Sequence, residues 1–219
     1  DKINNMNNTA YIDTFFSFIC SELTIQDINP SFPILYGSVN GIKKTFKYDI
    51  TEDYSEFKKE KWFHKSLGRT HTIDMYISSE EENSDSDDSD DSDDSGYNNE
   101  YISTLSNMPC QNFFIEKLEG TLEELLGDIE TINIDLILSC IFQVSYALTY
   151  LQKHYQFTHN DLHRNNVMYK KTDKIFLYYK YNNIYFKVPT YGYVFKIIDF
   201  GRSIFTFHNK LFFNDTFDK

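Results

Sequence analysis

Two stretches of the chain decide its fold, THNDLHRNNV at residues 158–167 and IDFG at residues 198–201. A long apolar helix pattern runs up to the first stretch, and an apolar strand pattern leads into the second. Taken singly, an Asp or Asn in a polar loop is usually a turn former or a local hydrogen-bonding group. Two such stretches in this order, each after a regular element, indicate instead that their carboxylates and amide belong to one site.

The two stretches resemble the catalytic loop H-x-D-x-x-x-x-N and the D-F-G motif of the protein kinases. The resemblance implies a partial α+β, kinase-like two-lobe fold, with residues 1–118 in the N-lobe and residues 119–219 in the C-lobe. The catalytic loop would span residues 159–166, and D-F-G residues 199–201. Neither the family's glycine-rich loop nor its V-A-I-K lysine is visible before the first predicted helix, so we expect a fragment.

Phosphoryl transfer depends on positioning and on neutralising the charge of the triphosphate. The resemblance implies that Asp161 is the catalytic base. It also implies that Asn166 and Asp199 bind the Mg²⁺ of Mg-ATP, a hard cation that prefers oxygen ligands. Arg164, if it points inward, would supply further positive charge.

Further contacts of the nucleotide site follow from the same resemblance. Ile115 stands at the gatekeeper position, and the backbones of Glu116 and Leu118 would lie against adenine. Glu22 is the nearest candidate for the helix glutamate that pairs with the strand lysine in kinases. His159 is expected to pack near Phe200, and Gly201 to let the backbone turn away from the metal.

Departures from the family pattern leave the acceptor open. Asn160 replaces an arginine that pairs with phosphorylated activation loops, so activation through that residue is not expected. His163 stands where serine/threonine kinases have lysine and resembles small-molecule kinases of the aminoglycoside and choline type. The alternatives are therefore a protein serine/threonine kinase, a small-molecule phosphotransferase and a pseudokinase scaffold.

The H-N-D-L-H-x-N-N pattern and the many Asn, Tyr, Phe and Ile residues resemble serine/threonine kinases of giant DNA viruses of the mimivirus kind. This narrower resemblance implies a protein substrate and an intracellular location, in the host cytoplasm or the virion. The three cysteines lack C-x-x-C spacing, which favours a reducing compartment. No basic patch indicates nucleic-acid binding.

The net charge of −12 is concentrated in one segment, because residues 80–94 contain ten acidic side chains and no basic one. The segment 78–99 is predicted to be a disordered insertion between two strands, since it has almost no apolar residues to offset the entropy of ordering. The apolar stretch 136–151 is interrupted by polar residues and is predicted to be too short and too polar to span a bilayer. No signal peptide is recognisable, so no membrane partner is predicted.

Hydrophobic periodicity and turn residues predict the regular elements. Asn182-Asn183 is predicted to form a hairpin turn, because Asn tolerates positive φ. The predicted helices are 10–23, 121–126 with a Thr-x-x-Glu cap, 135–151 and a short amphipathic one within 54–67; the predicted strands are 32–39 (buried), 111–118, 167–169, 176–181, 184–188 and 194–198.

Overall fold

The computed structural model describes residues 5–78, 98–127 and 133–214. It is a mixed α+β structure, as predicted, and it consists of helices and small antiparallel sheets. The chain forms two compact units, the first from Asp1–Val39 with Gln111–Lys219 and the second from Asn40–Cys110. The division into kinase-like lobes at residue 118 stays a prediction.

The helices are α1 (Thr9–Ile25), α2 (Tyr54–Phe57), α3 (Lys61–Ser66), α4 (Leu122–Leu126) and α5 (Ile134–Tyr155). The strands are β1 (Leu35–Asp49), β2 (His71–Ser78), β3 (Asn98–Ile115), β4 (Gly120–Thr121), β5 (Val167–Lys171), β6 (Phe176–Tyr181), β7 (Ile184–Pro189), β8 (Tyr193–Ile197), β9 (Phe205–Phe207) and β10 (Lys210–Phe212).

Helix α1 begins where the Asn8 side chain accepts a hydrogen bond from the Ala10 N–H, which caps the first turn. Its predicted apolar stripe forms the centre of the first unit. Phe16 is fully buried and stacks on Phe157, with 4.7 Å between ring centroids. The buried cluster contains Ile12, Phe16, Ile19, Cys20, Leu23, Phe32, Ala147, Leu151, Phe157, Ile197, Phe200 and Phe205. This cluster joins α1 to α5 and to the segment around Phe200.

Two antiparallel pairings organise the region after α5. Strand β5 pairs with β8 and with β4, in the order β4-β5-β8, and residue Val167 lies opposite Ile197. Strands β6 and β7 form a hairpin whose turn residues Asn182 and Asn183 have φ of 46° and 64°, as predicted. The hairpin packs its buried face on the α5 aromatic side chain of Phe142.

Helix α4 starts with the predicted capping box. The Thr121 hydroxyl accepts from the Glu124 N–H at 3.1 Å, and the Glu124 carboxylate accepts from the Thr121 N–H at 2.8 Å. These bonds satisfy two N–H groups at the start of a helix only five residues long.

Helix α5 is longer than predicted, with 22 residues. Among the described residues it is the one helix that is long and apolar enough to cross a membrane. The argument that this segment is too short and too polar was therefore wrong as a matter of length and composition. The core helix of a folded domain meets the same criterion, and α5 buries Cys140, Gln143, Ala147 and Leu151.

Several predicted elements differ from the observed ones. The strand predicted at 32–39 starts at Leu35 and is largely exposed, while Phe32 is buried in the preceding loop. Residues 54–67 hold two short helices, α2 and α3. The strand predicted at 111–118 belongs to the longer β3, which ends at Ile115.

The acidic insertion predicted at 78–99 falls almost entirely outside the described residues, which omit 79–97. Ser78 and Asn98 lie in β2 and β3 and face each other in the register of that antiparallel pair. Residues 79–97 therefore connect two paired strands, as expected, and the predicted disorder of this segment lies outside the described residues.

Candidate active site

The loop of residues 159–166 is tied to the strand that ends at residue 197 by main-chain and side-chain bonds. The Ile198 N–H donates to the Asn166 carbonyl at 3.0 Å. The buried His159 ring donates through Nε2 to the Ile198 carbonyl at 3.1 Å. Together with the pairing of β5 and β8, these bonds bring the two sequence motifs side by side, with Asn166 and Asp199 on adjoining segments.

His159 packs against Phe200 as predicted, with 5.6 Å between ring centroids. Burial lowers the pKa of His159, because the apolar surroundings disfavour the imidazolium form. Burial thus favours the neutral imidazole, and the ring supports Phe200 by packing.

The Asn166 side chain is buried and held inside its own loop. Its Nδ2 donates to the Asp161 carbonyl at 2.9 Å and lies 3.1 Å from Nε2 of His163. Because the nitrogen is engaged in the loop, the amide oxygen is the atom suited to bind a cation. His163 thus orients the residue that sequence analysis assigned to the metal.

Asp199 adopts a left-handed backbone conformation, with φ of 61°, which is uncommon for a residue with a side chain. Its Oδ1 accepts from the Gly201 N–H at 3.3 Å. Such strained conformations concentrate at functional sites, where neighbouring bonds hold them. Asp199 also lines a cavity of about 320 Å³, together with Asp13, Ser17, Pro33, Phe113, Ile115, Ile198 and Phe200.

Asp13 on α1 is a site residue that sequence analysis missed. Its carboxylate accepts from the Phe200 N–H at 2.9 Å, so it fixes the backbone next to Asp199. Burial and the nearby Asp199 charge raise the pKa of Asp13. The available signal was a polar pair, Asp13 and Ser17, one helical turn apart beside the apolar stripe of α1.

Glycine at position 201 is explained by close packing. A Cβ atom there would lie 2.8 Å from Cγ2 of Thr9 and 3.3 Å from Oδ1 of Asp199. Its φ is not in the left-handed region, which here is occupied by Asp199. Gly201 lies in a turn, but the expected use of glycine's extra backbone freedom is not seen, and the close approach of α1 is what requires a glycine.

Asp161 contacts the second residue missed by sequence analysis, Arg202. Nη1 of Arg202 lies 3.0 Å from Oδ1 of Asp161, and the two side chains are 47% and 26% exposed. The preceding residue, Asn160, has φ of 64° and donates through Nδ2 to the Arg202 carbonyl at 3.0 Å. Two consecutive residues of the loop therefore hold Arg202 by its main chain and its side chain.

Arg164 does not take the inward orientation considered for it. Its guanidinium forms an ion pair with Glu123 of α4 at 2.6 Å, and both side chains are largely exposed. It lies in a short 3₁₀ turn, Arg164–Asn166, whose geometry directs it toward α4. Its charge is thus paired with a surface carboxylate.

Glu116 is the most strongly bound side chain in the segment predicted to face adenine. It is 4% exposed, lies 2.5 Å from Nζ of the buried Lys196 and also pairs with Lys170. Oε1 accepts from the Ile34 N–H at 3.1 Å. Burial would raise the pKa of Glu116, but the hydrogen bonds from the two lysines outweigh it, and the pKa lies below its ordinary value.

Of the other residues predicted to contact the nucleotide, Ile115 lines the cavity, and Leu118 and Glu22 do not. Ile115 lines the cavity beside Asp199, whereas Leu118 lies partly buried in the segment before β4. Glu22 accepts from Nε2 of Gln26 at 3.3 Å on α1. The α1 carboxylate that lines the cavity is that of Asp13, not that of Glu22.

The donor set limits which metal could bind. Among the residues that the structure describes, no group of three or more His, Cys, Asp or Glu side chains could hold a metal ion. Mg²⁺ is commonly bound through one or two protein oxygens plus the phosphates of a nucleotide. One carboxylate, of Asp199, and one amide, of Asn166, therefore fit a nucleotide-bound magnesium better than a metal held by protein alone.

No known protein-family model matches the chain. A search of curated proteins finds similarity to "Uncharacterized protein 098R" of Invertebrate iridescent virus 6, with 37% identity over 114 residues. The match covers 48% of this chain and 19% of the viral protein. The matched part of the chain thus spans about a fifth of that relative, whose name states no activity. The kinase resemblance therefore rests on the sequence motifs.

Proposed function

We propose that this chain is part of a kinase-like phosphotransferase that moves the γ-phosphate of Mg-ATP to a serine or threonine hydroxyl. The observation that carries the proposal is the bond between the Ile198 N–H and the Asn166 carbonyl, which joins the two motifs. Asp161 and Asn166 lie on one of the joined segments, and Asp199 lies on the other. The two segments are held together by this bond and by the pairing of β5 with β8. A kinase-like partial fold, with its two lobes, is part of the same proposal.

Each side chain has a separate task in this proposal. Magnesium would neutralise charge on the nucleotide phosphates when bound. Asn166, held by its contacts with the Asp161 carbonyl and His163, offers an amide oxygen to that ion, and Asp199 offers a carboxylate. Asp161 accepts the proton of the acceptor hydroxyl and directs its oxygen toward phosphorus.

The supporting residues keep these groups aligned. Asp13 anchors the Phe200 N–H, and His159 anchors the Ile198 carbonyl, so the residue between them is held from both sides. Pre-organisation of this kind lowers the cost of reaching the reactive geometry. It also explains why the strained backbone at Asp199 is tolerated.

A small-molecule phosphotransferase is the second candidate, and His163 favours it. This histidine, at the position that resembles aminoglycoside and choline kinases, contacts the Asn166 amide at 3.1 Å. The metal site would be the same in both candidates. Only the acceptor would differ, being a small alcohol in place of a protein side chain.

The experiment uses the complete gene product, purified as wild type and as Asp161→Ala and Asp199→Ala. Calorimetry with Mg-ATP and phosphate transfer to mixed protein and small-alcohol substrates are measured. Asp199→Ala should lose Mg-ATP binding and turnover, because a metal ligand is gone. Asp161→Ala should bind Mg-ATP like wild type but transfer phosphate about 10²–10⁴-fold more slowly, the usual contribution of a general base.

Asp173→Ala is the matched control, since Asp173 is an exposed carboxylate between β5 and β6. It should leave binding and transfer unchanged. Equal loss of nucleotide affinity in the Asp161 and Asp199 variants would contradict their separate roles. Labelling of small alcohols alone would replace the protein-kinase proposal by the second candidate, and wild-type protein without Mg-ATP binding or transfer would refute both.

A further inference from the structure

Arg202, the residue after Gly201, makes an ion pair that no motif predicts. Nη1 of Arg202 lies 3.0 Å from Oδ1 of Asp161. Among the ion pairs of the described residues, this is the one that involves Asp161. The contact therefore places a permanent positive charge directly on the carboxylate proposed as catalytic base.

The main chain around Arg202 is fixed on both sides. Nδ2 of Asn214 donates to the Gly201 carbonyl at 2.6 Å. On the other side, the N–H and carbonyl groups of Ile204 pair with those of Thr158 at 2.9 Å and 2.8 Å. Because Asn160 also holds the Arg202 carbonyl, the guanidinium starts from a defined position.

Stability does not account for this pair. Ion pairs between partly exposed side chains contribute little to folding, because water and salt screen them. The arrangement is nevertheless specific, since Asn160 and Asp161 hold the carbonyl and the guanidinium of the same residue. A guanidinium on a fixed backbone can instead hold a carboxylate in one orientation through charge-assisted hydrogen bonds.

The other cationic candidates near the loop are engaged elsewhere. Arg164 pairs with Glu123 on the surface. His163, which occupies the position of the lysine in serine/threonine kinases, contacts the Asn166 amide. Arg202 is thus the cation whose geometry suits the carboxylate of Asp161.

We infer that Arg202 is the positioning residue of Asp161, and that it supplies from the segment after D-F-G the positive charge that Arg164, paired with Glu123, does not bring to Asp161. The inference rests on the proposed function. It makes Arg202 act through Asp161, by fixing the direction in which the carboxylate meets the acceptor hydroxyl. Loss of the guanidinium should slow transfer without weakening nucleotide binding.

The test compares Arg202→Ala, Arg202→Lys, Asp161→Asn and the double variant Arg202→Ala/Asp161→Asn in the complete gene product. Arg202→Ala should lower kcat at least about tenfold, with the KM for Mg-ATP unchanged, because misorienting a catalytic group can cost up to about 10²-fold. Added guanidinium chloride at millimolar concentration should restore part of that loss. Arg202→Lys should retain more activity than Arg202→Ala.

The double variant separates positioning from a structural role. If Arg202 acts through Asp161, then Arg202→Ala should have no further effect once Asp161 is already Asn. Arg69→Ala is the matched control, because Arg69 is exposed and lies in the second unit. It should leave kcat and KM as in wild type.

The outcomes distinguish the inference from the function on which it rests. Wild-type protein that transfers no phosphate refutes the proposed function and the inference with it. An active wild type with an unaffected Arg202→Ala refutes the inference alone. A rise in kcat on Arg202→Ala also overturns it, since the ion pair would then be a brake on Asp161.

Discussion

Replacing Lys196 by methionine should strongly destabilise the first unit. The side chains of Lys196 and Glu116 are only 5% and 4% exposed, so the substitution leaves a buried carboxylate with less compensation. Removing one partner of a buried ion pair costs about 3–5 kcal/mol. Glu116 keeps its contacts with Lys170 and the Ile34 N–H, so the loss of unfolding free energy should lie near the lower end of that range.

A second lost contact adds to that figure. Nζ of Lys196 also donates to the Phe32 carbonyl at 2.8 Å, and methionine cannot replace this bond, worth about 1 kcal/mol. The free energy of unfolding should therefore fall by about 4 kcal/mol. For a chain of this size, that corresponds to a decrease in Tm of about 8–16 °C.

The assay is urea unfolding followed by far-ultraviolet circular dichroism, whose signal comes mainly from α1 and α5. Lys170→Met is the matched control, because the Lys170 side chain is 43% exposed and its loss should cost about 1 kcal/mol or less. Adding Glu116→Gln to Lys196→Met should recover stability, since the buried charge that has lost one of its two lysines is then gone. Equal losses in the two lysine variants, or no recovery, would refute the reasoning.

Two other substitutions test the packing around D-F-G. Gly201→Ala should destabilise the protein by about 1–3 kcal/mol, because the new methyl group clashes with Cγ2 of Thr9, and Thr9→Ser should restore much of the loss while keeping the hydroxyl. Thermal unfolding of the single and double variants measures this, and an unchanged Tm for Gly201→Ala would contradict it. Because the pKa of His159 is lowered in the fold, the unfolded state binds more protons once the pH falls below about 6.5, and stability should decrease there. Unfolding from about pH 8 to about pH 5 should show a shallower decrease in His159→Gln, and identical slopes would exclude His159 as the cause.

The regular elements were predictable because their signals are local. The apolar repeat of α1, the capping box of α4 and the Asn182-Asn183 turn each depend on residues a few positions apart. The exposed strand β1 was misjudged, since a run of apolar residues such as Phe32 to Val39 does not reveal which of them will be covered. Its burial depends on neighbours that the local pattern does not specify.

The motif residues of the candidate site could be predicted from the sequence, but the residues that hold them in place could not. Asp161, Asn166 and Asp199 stand out by their spacing, whereas Asp13 and Arg202 reach them only through the tertiary fold. Arg164 was considered as a source of positive charge if it pointed inward, but its contact with Glu123 directs its side chain to the surface. Charged side chains are placed by partners distant in sequence, so spacing alone does not orient them.

The antiparallel pairing of β5 with β8 suggests where a tag can be inserted. The last residue of β5, Lys171, lies opposite the first residue of β8, Tyr193. Just beyond this pair, the Thr172 N–H donates to the Gly192 carbonyl. The β6–β7 hairpin therefore leaves and rejoins the molecule at neighbouring points. Extra sequence spliced between Asn182 and Asn183 would lengthen only the hairpin tip, because the base is already closed. This turn is therefore a suitable location for an affinity tag or a fluorescent reporter that leaves the spacing of Asn166 and Asp199 undisturbed.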